Sequence, residues 1–141
     1  MALSDRRSLA GESLLPGGAA GRLLVLTAPL SFWGGVQPKS GRIVMAGHPQ
    51  HGREIGGRLL ALPGTVGSSS SSSVMLELLR EGRAPAGLLL ASVDAILLLG
   101  VVVARELGYP PIPALRLEAA ALAALPDGAA ARIEEGRLVL G

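Results

Sequence analysis

The 141 residues predict one mixed β/α domain with a sheet buried on at least one face. Strand-like apolar runs come first and then alternate with helical spacings. Several of those runs are apolar throughout, as buried strands are. Twenty glycines and ten prolines cut the chain into short elements, and 49% of its residues are hydrophobic, more than a disordered chain carries.

Residues 1–16 read as a weakly ordered lead-in, and 17–141 as a single domain. Arg22–Leu26, ahead of Pro29, is a buried strand by its apolar run. The Gly and Pro content of Ser31–Pro38 and of Gly47–Gly52 marks both as loops. Arg42–Met45 and Arg58–Leu62 are two further strands, and Pro63-Gly64 breaks the chain. Ser73–Arg80 places Val74 with Leu78 and Met75 with Leu79 on one helical face, with a Ser available as cap, Arg80 in the last turn and Gly82 as a stop. Gly87–Ala91 is a buried strand. Ala95–Leu99 is apolar and is expected to end at Gly100. Val101–Leu107 reads as a helix closed by Gly108, with strand as the alternative over the β-branched Val101–Val103. Ile112–Leu117 is a strand, Glu118–Leu125 a short Ala-rich helix, and Ala129–Ile133 with Arg137–Leu140 a hairpin about Glu134-Glu-Gly136.

Composition excludes several functions. Thirteen bases against eleven acids leave a net charge of +2, and twelve of the bases are arginines scattered without a stripe. Phe32, Trp33 and Tyr109 are the only aromatics to stack on bases, so nucleic-acid binding is a poor fit despite the arginines. The absence of cysteine removes disulfides, thiol nucleophiles and thiolate ligands. The longest apolar stretch, residues 84–104, carries Asp94 at its middle, where a bilayer would charge about 2.5–3.5 kcal/mol. Buried strand plus buried helix is the better reading. No signal-peptide core follows Arg6–Arg7, so a soluble cytoplasmic protein is expected.

Six of the twelve serines stand together at Ser68–Ser73. A flexible linker is the bland reading, but the run is short and abuts a helix start. After Gly67, serines at a helix N-terminus make an oxyanion site: the first N–H groups lack intrahelical partners, and the helix dipole adds positive charge. One serine could then transfer a proton while the others merely cap or face solvent. His48 and His51 offer two metal ligands at most, and local hydrogen bonding is the simpler role. Asp94 either caps the segment from Ala95 or faces a site. Phe32-Trp33, ahead of Gly34-Gly35, is core filling or an interface or pocket wall.

The order Pro29-Leu-Ser-Phe-Trp-Gly-Gly-Val-Gln-Pro38, Gly41-Arg-Ile-Val, His48-Pro-Gln-His-Gly52, Gly67-Ser68, Ser72-Ser73-Val74-Met-Leu-Glu-Leu78, Gly82-x-Ala84-Pro85 and Asp94-Ala-Ile-Leu…Gly100 resembles the small subunit, or swivel domain, of the aconitase X family. The resemblance implies a swivelling β/β/α fold, a mixed sheet or barrel flanked by helices. It implies a hydro-lyase subunit working with a separate large subunit as a heterodimer or higher assembly. The iron–sulfur cluster or iron would lie on that partner, with no cofactor and no metal ligand on this chain. It also implies that Ser68 removes the substrate proton. Gly67, Ser69, Ser72, Ser31, Gly34 and Gly35 would bind substrate, and Phe32, Trp33, His48, His51 and Asp94 would lie at the site or an interface. Family members dehydrate cis-3-hydroxy-L-proline or mevalonate 5-phosphate. The Trp33 form and the His48-Pro-Gln-His51 wording favour the first, as does the lack of a Lys/Arg cluster near Ser68. The chain looks like a stand-alone small subunit. Gln37, Met45 and Ser71 depart from the family pattern, and they keep a non-catalytic binding module as the alternative. Val103-Ala-Arg-Glu-Leu-Gly108 with Pro110 is also similar to the helix of phosphohistidine swivel domains. Leu99 stands where the phosphocarrier His would be, which argues against phosphotransfer.

Overall fold

A computed structural model describes residues 7–67 and 69–141. The elements are β1 (Arg7–Ala10), β2 (Glu12–Leu15), β3 (Ala19–Val25), β4 (Val36–Gln37), β5 (Arg42–Ile43), β6 (Leu59–Leu62), α1 (Ser71–Glu81), β7 (Gly87–Leu90), α2 (Ala95–Glu106), β8 (Ala114–Arg116), α3 (Ala119–Ala123), β9 (Ala130–Glu134) and β10 (Arg137–Leu140). Eight strands form one sheet in the order β1-β10-β9-β3-β6-β7-β8-β2, and β4-β5 is a separate two-stranded ribbon. β3, β6, β7 and β8 run parallel, with α1 and α2 as the crossovers. The remaining ladders of the large sheet are antiparallel, so the sheet is mixed, as expected.

β1 and β2 lie at opposite ends of that order yet are separated in sequence by Gly11 alone. Successive Cα atoms are about 3.8 Å apart, so the sheet must curl until its two edges meet at Gly11. A Cβ there would stand 3.0 Å from the Arg116 carbonyl oxygen and 3.1 Å from Leu117 Cδ2, which is why the corner takes glycine. Residues 7–15 thus correct the expected weakly ordered lead-in. β1 pairs with β10 from Arg7↔Leu140 to Ala10↔Arg137, and β2 pairs with β8 through Glu12↔Arg116. Leu9, Leu14 and Leu15 pack against the core. Neither strand has an apolar run of its own; partners more than a hundred positions away make them strands.

Alternation along the parallel strands feeds two cores. Leu24, Leu60, Leu62, Leu88 and Leu90 face α1, α2 and the buried Leu30, Phe32, Val36, Ile43 and Ile55. Leu23, Val25, Leu59, Ala61 and Leu89 face the other way, with Leu122 and Leu125 at α3 and Ile133, Leu138 and Leu140 from β9 and β10. Both faces being covered, β6 and β7 read as unbroken apolar runs. Each fully buried leucine contributes about 1.5–3 kcal/mol.

The helices differ from expectation at two points. α1 begins at Ser71, two residues early, and ends at Gly82 (φ 71°), whose N–H reaches the Leu78 and Leu79 carbonyls. α2 runs unbroken from Ala95 to Glu106, so neither the stop at Gly100 nor the strand alternative holds. Gly100 is buried where α1 crosses, and packing there outweighs the local preferences of glycine and the β-branched residues. The expected hairpin closes over Glu135 (φ 52°) and Gly136 (φ 74°), a two-residue turn with both φ values positive.

Candidate functional site

The parallel strands β3, β6 and β7 deliver their carboxyl ends to one pole, the position at which open α/β sheets place ligands. Three connections gather there: 26–35 after β3, 63–70 after β6 and 91–94 after β7. The first two are stitched together. The Leu30 N–H donates to the Gly64 carbonyl (3.2 Å), and the Val66 N–H to the Leu30 carbonyl (3.1 Å). This bridge brings the turn Ser31–Gly35 beside the approach to the serine run.

Ser68 lies outside the described residues. Gly67 and Ser69 on either side of it are exposed. Ser70 is the N-cap of α1 without a capping bond from its hydroxyl, so the predicted serine cap is not made there. Ser71 is buried on the α1 face that also holds Val74, Met75 and Leu78. Ser72 and Ser73 line a shallow groove of about 170 Å³ with Leu76, Leu99, Gly100 and Val103, between the two helices. No acidic side chain stands in the first turn of α1, which leaves the positive end of its dipole uncompensated there.

The turn Ser31–Gly35 is tightly built. The Ser31 hydroxyl donates to the Trp33 carbonyl at 2.8 Å. Phe32 is fully buried and anchors the turn, whereas Trp33 is 60% exposed. Gly34 sits at φ 78°, and a Cβ at Gly35 would fall 1.9 Å from the Ser31 carbonyl oxygen. The Val44 and Met45 N–H groups both reach the Gly35 carbonyl, so Met45 lies against this turn. Gln37 accepts from the Ser40 hydroxyl at 2.8 Å within the β4–β5 ribbon.

His48 is buried and fully engaged. Its Nδ1 accepts the Gln50 N–H at 3.0 Å, which leaves Nε2 as the protonated nitrogen, donating to the Ala28 carbonyl at 3.1 Å. The Gln50 side chain in turn meets both the N–H and the hydroxyl of Thr27. With no free lone pair, His48 cannot pair with the exposed His51 as a ligand. Among the described residues, no three of His, Cys, Asp and Glu lie together in a way that holds a metal. The described residues therefore do not fit an iron or iron–sulfur centre.

Asp94 does two things at once. Oδ1 accepts the Ile96 and Leu97 N–H groups (3.1 and 3.0 Å) and caps α2, while Oδ2 accepts the Thr65 hydroxyl at 2.6 Å. Thr65 and Thr27 carry no sequence signal of their own; only the folded chain assigns them a place. On the outer face of α1, a hydrogen bond from Arg80 holds the Glu77 carboxyl below the usual range, in an exposed pair on the helix surface. A concavity of about 630 Å³ lies at the opposite pole between the β2–β3 connection and the β9–β10 hairpin. Of its lining residues only Glu134 and Glu135 are charged. No helix among the described residues is long and apolar enough to cross a membrane.

Comparison with known proteins places this arrangement. The aconitase X swivel domain family matches residues 8–140. Cis-3-hydroxy-L-proline dehydratase of Pseudomonas aeruginosa is 48% identical over 131 residues, which cover 92% of this chain and 22% of that protein. The chain thus spans about a fifth of the length of that relative. The phosphomevalonate dehydratase small subunit of Methanothermobacter thermautotrophicus is 40% identical over 62% of this chain and 67% of its own length. The crystal structure of Thermococcus kodakaraensis aconitase X superposes with a TM-score of 0.84 at 26% identity, over 96% of this chain and 98% of that one. The chain belongs to the aconitase X swivel-domain family.

Proposed function

We propose that this chain is the swivel-domain half of a hydro-lyase that dehydrates a hydroxy acid of the cis-3-hydroxy-L-proline type, with Ser68 as the proton-abstracting base and a large subunit supplying the rest of the site. The observation that carries the reading is the 48% identity to a cis-3-hydroxy-L-proline dehydratase over 92% of the chain. The match covers only 22% of that protein, so most of that relative's length lies outside the region shared with this chain. Any metal or cluster belongs to that partner, because the donor set here does not fit one.

The chain's own residues have a defined task. The serine base takes a proton from the carbon next to the substrate carboxylate as the C–H bond breaks. The electron pair spreads into that carboxylate and then forms the carbon–carbon double bond as the β-hydroxyl leaves as hydroxide, which the proton returned by the serine converts to water. Gly67 and the first N–H groups of α1 then face growing negative charge with no acidic side chain in that turn to oppose it. Ser31, Gly34 and Gly35, on the neighbouring turn, bound the substrate on the other side. Segments 26–36, 63–73 and 91–96 contain no Lys or Arg, which suits an unphosphorylated substrate over mevalonate 5-phosphate. Trp33, Val44, Val66, Val93 and Ile96 expose apolar surface on these connections or next to them, as a surface covered by a partner does.

Co-expression with the large subunit and side-by-side assay on cis-3-hydroxy-L-proline and mevalonate 5-phosphate tests the reading. The pair dehydrates the first, and the isolated chain is inactive. Ser68→Ala lowers kcat by about 10²–10⁴ with assembly intact, the range for losing a general base. Near-normal turnover by that variant overturns the role of Ser68, and turnover of mevalonate 5-phosphate alone overturns the substrate.

A further inference from the structure

We infer that Thr65 is a positioning residue that locks the serine-bearing connection to the N-terminus of α2 and to the turn Ser31–Gly35. Its link to catalysis rests on the function proposed above; its structural part does not. Thr65 is held from two sides. Its hydroxyl donates to Asp94 Oδ2 at 2.6 Å, a short, charge-assisted contact. Its backbone forms the parallel bridge with Leu30, closed by Leu30 N–H to Gly64 (3.2 Å) and Val66 N–H to Leu30 (3.1 Å). The Asp94 carboxylate is itself fixed, because its other oxygen caps α2 through Ile96 and Leu97.

Two residues before Gly67, the Thr65 side chain ties its connection to the one after β7, and the backbone on either side of it ties the same connection to the one after β3. Beyond this contact, the groove at Ser72, Ser73 and Leu99 is shallow and open. A threonine fits for a physical reason. Its β-branched side chain suits the extended backbone of the bridge, and its hydroxyl is the donor that an ionised carboxylate needs. Asp94 Oδ2 would otherwise be satisfied only by water.

The test uses the assembled complex and two variants, Thr65→Val and Thr65→Ser. Valine keeps shape and branching but removes the donor; serine restores it. Thr65→Val is expected to lower kcat on cis-3-hydroxy-L-proline roughly tenfold, the order expected when a hydrogen bond to a charged group is lost, with KM within about twofold. Thr65→Ser is expected to recover most of the rate. Amide hydrogen exchange gives a readout independent of activity: Leu30 and Val66 exchange at least about fivefold faster in Thr65→Val. Ile96 and Leu97 stay protected, because their acceptor is Asp94 Oδ1. Unchanged exchange at Leu30 and Val66 overturns the inference whether or not the complex turns over. Faster exchange with an unchanged kcat in an active complex overturns the positioning of the site and leaves a purely structural tie. An inactive wild-type complex bears on the proposed function, and the exchange result then decides the inference alone.

Discussion

Gly100→Ala is the sharpest test of how the two helices set the serine turn. A Cβ at position 100 would stand 2.5 Å from the Ser72 carbonyl oxygen, 2.9 Å from Met75 Cβ and 3.1 Å from Ser72 Cα. Ordinary contact between carbon atoms is about 3.5–4.0 Å, and two of these three neighbours are backbone of α1, which cannot rotate aside. The helices must therefore part. Against this, alanine gains about 1 kcal/mol over glycine in a helix interior. Overpacking of a filled interface costs about 1–3 kcal/mol, and parting the helices also loosens Met75 and Leu79 of α1 against Leu97 and Val101 of α2. The net expectation is a loss of about 1–2 kcal/mol, or a Tm lower by roughly 3–8 °C for a chain of this length. Thermal unfolding followed by circular dichroism measures it, with Glu106→Ala, at the exposed end of the same helix, as a control expected within about 0.5 kcal/mol of wild type. In the assembled complex kcat should fall too, because the clash falls on Ser72 in the first turn of α1. An unchanged or higher Tm in Gly100→Ala would refute the reasoning, since the propensity gain would then exceed any cost of separation.

Two further substitutions probe the neighbouring connections. Gly35→Ala places a Cβ 1.9 Å from the Ser31 carbonyl oxygen and should cost about 2–4 kcal/mol in urea unfolding. Gly34→Ala meets open space and pays only for its φ of 78°, about 1–2 kcal/mol, so the order of the two variants is the check. His48→Leu keeps the buried volume but leaves the Ala28 carbonyl and the Gln50 N–H without their partner, a loss of about 2–3 kcal/mol by the same measurement.

What the sequence discloses depends on how far away each residue's partner lies. β6 and β7 are legible because both faces are buried, so Leu59–Leu62 and Leu88–Leu90 need no partner to be recognised. The serine run is legible for a similar reason: Gly67, the serines and the amphipathic turn of α1 adjoin one another along the chain. Asp94 is half legible. Its cap on Ile96 and Leu97 is local, but its bond to Thr65 spans 29 positions and leaves no pattern. His48 shows how local spacing misleads. Three residues from His51 it resembles half of a ligand pair, yet a carbonyl 20 positions back takes its second nitrogen. Gly100 fails in the opposite direction: a rule valid for an isolated helix is overruled by the Ser72 backbone crossing it. β1 and β2 are the extreme case, since Arg7 finds Leu140 only once the sheet has curled. The proposed catalytic segment is therefore readable from its own residues, but its placement depends on Thr65, Leu30 and Gly100, whose decisive contacts are all tertiary. Substitutions at those three positions should alter the site through tertiary contacts that no local pattern in the sequence discloses.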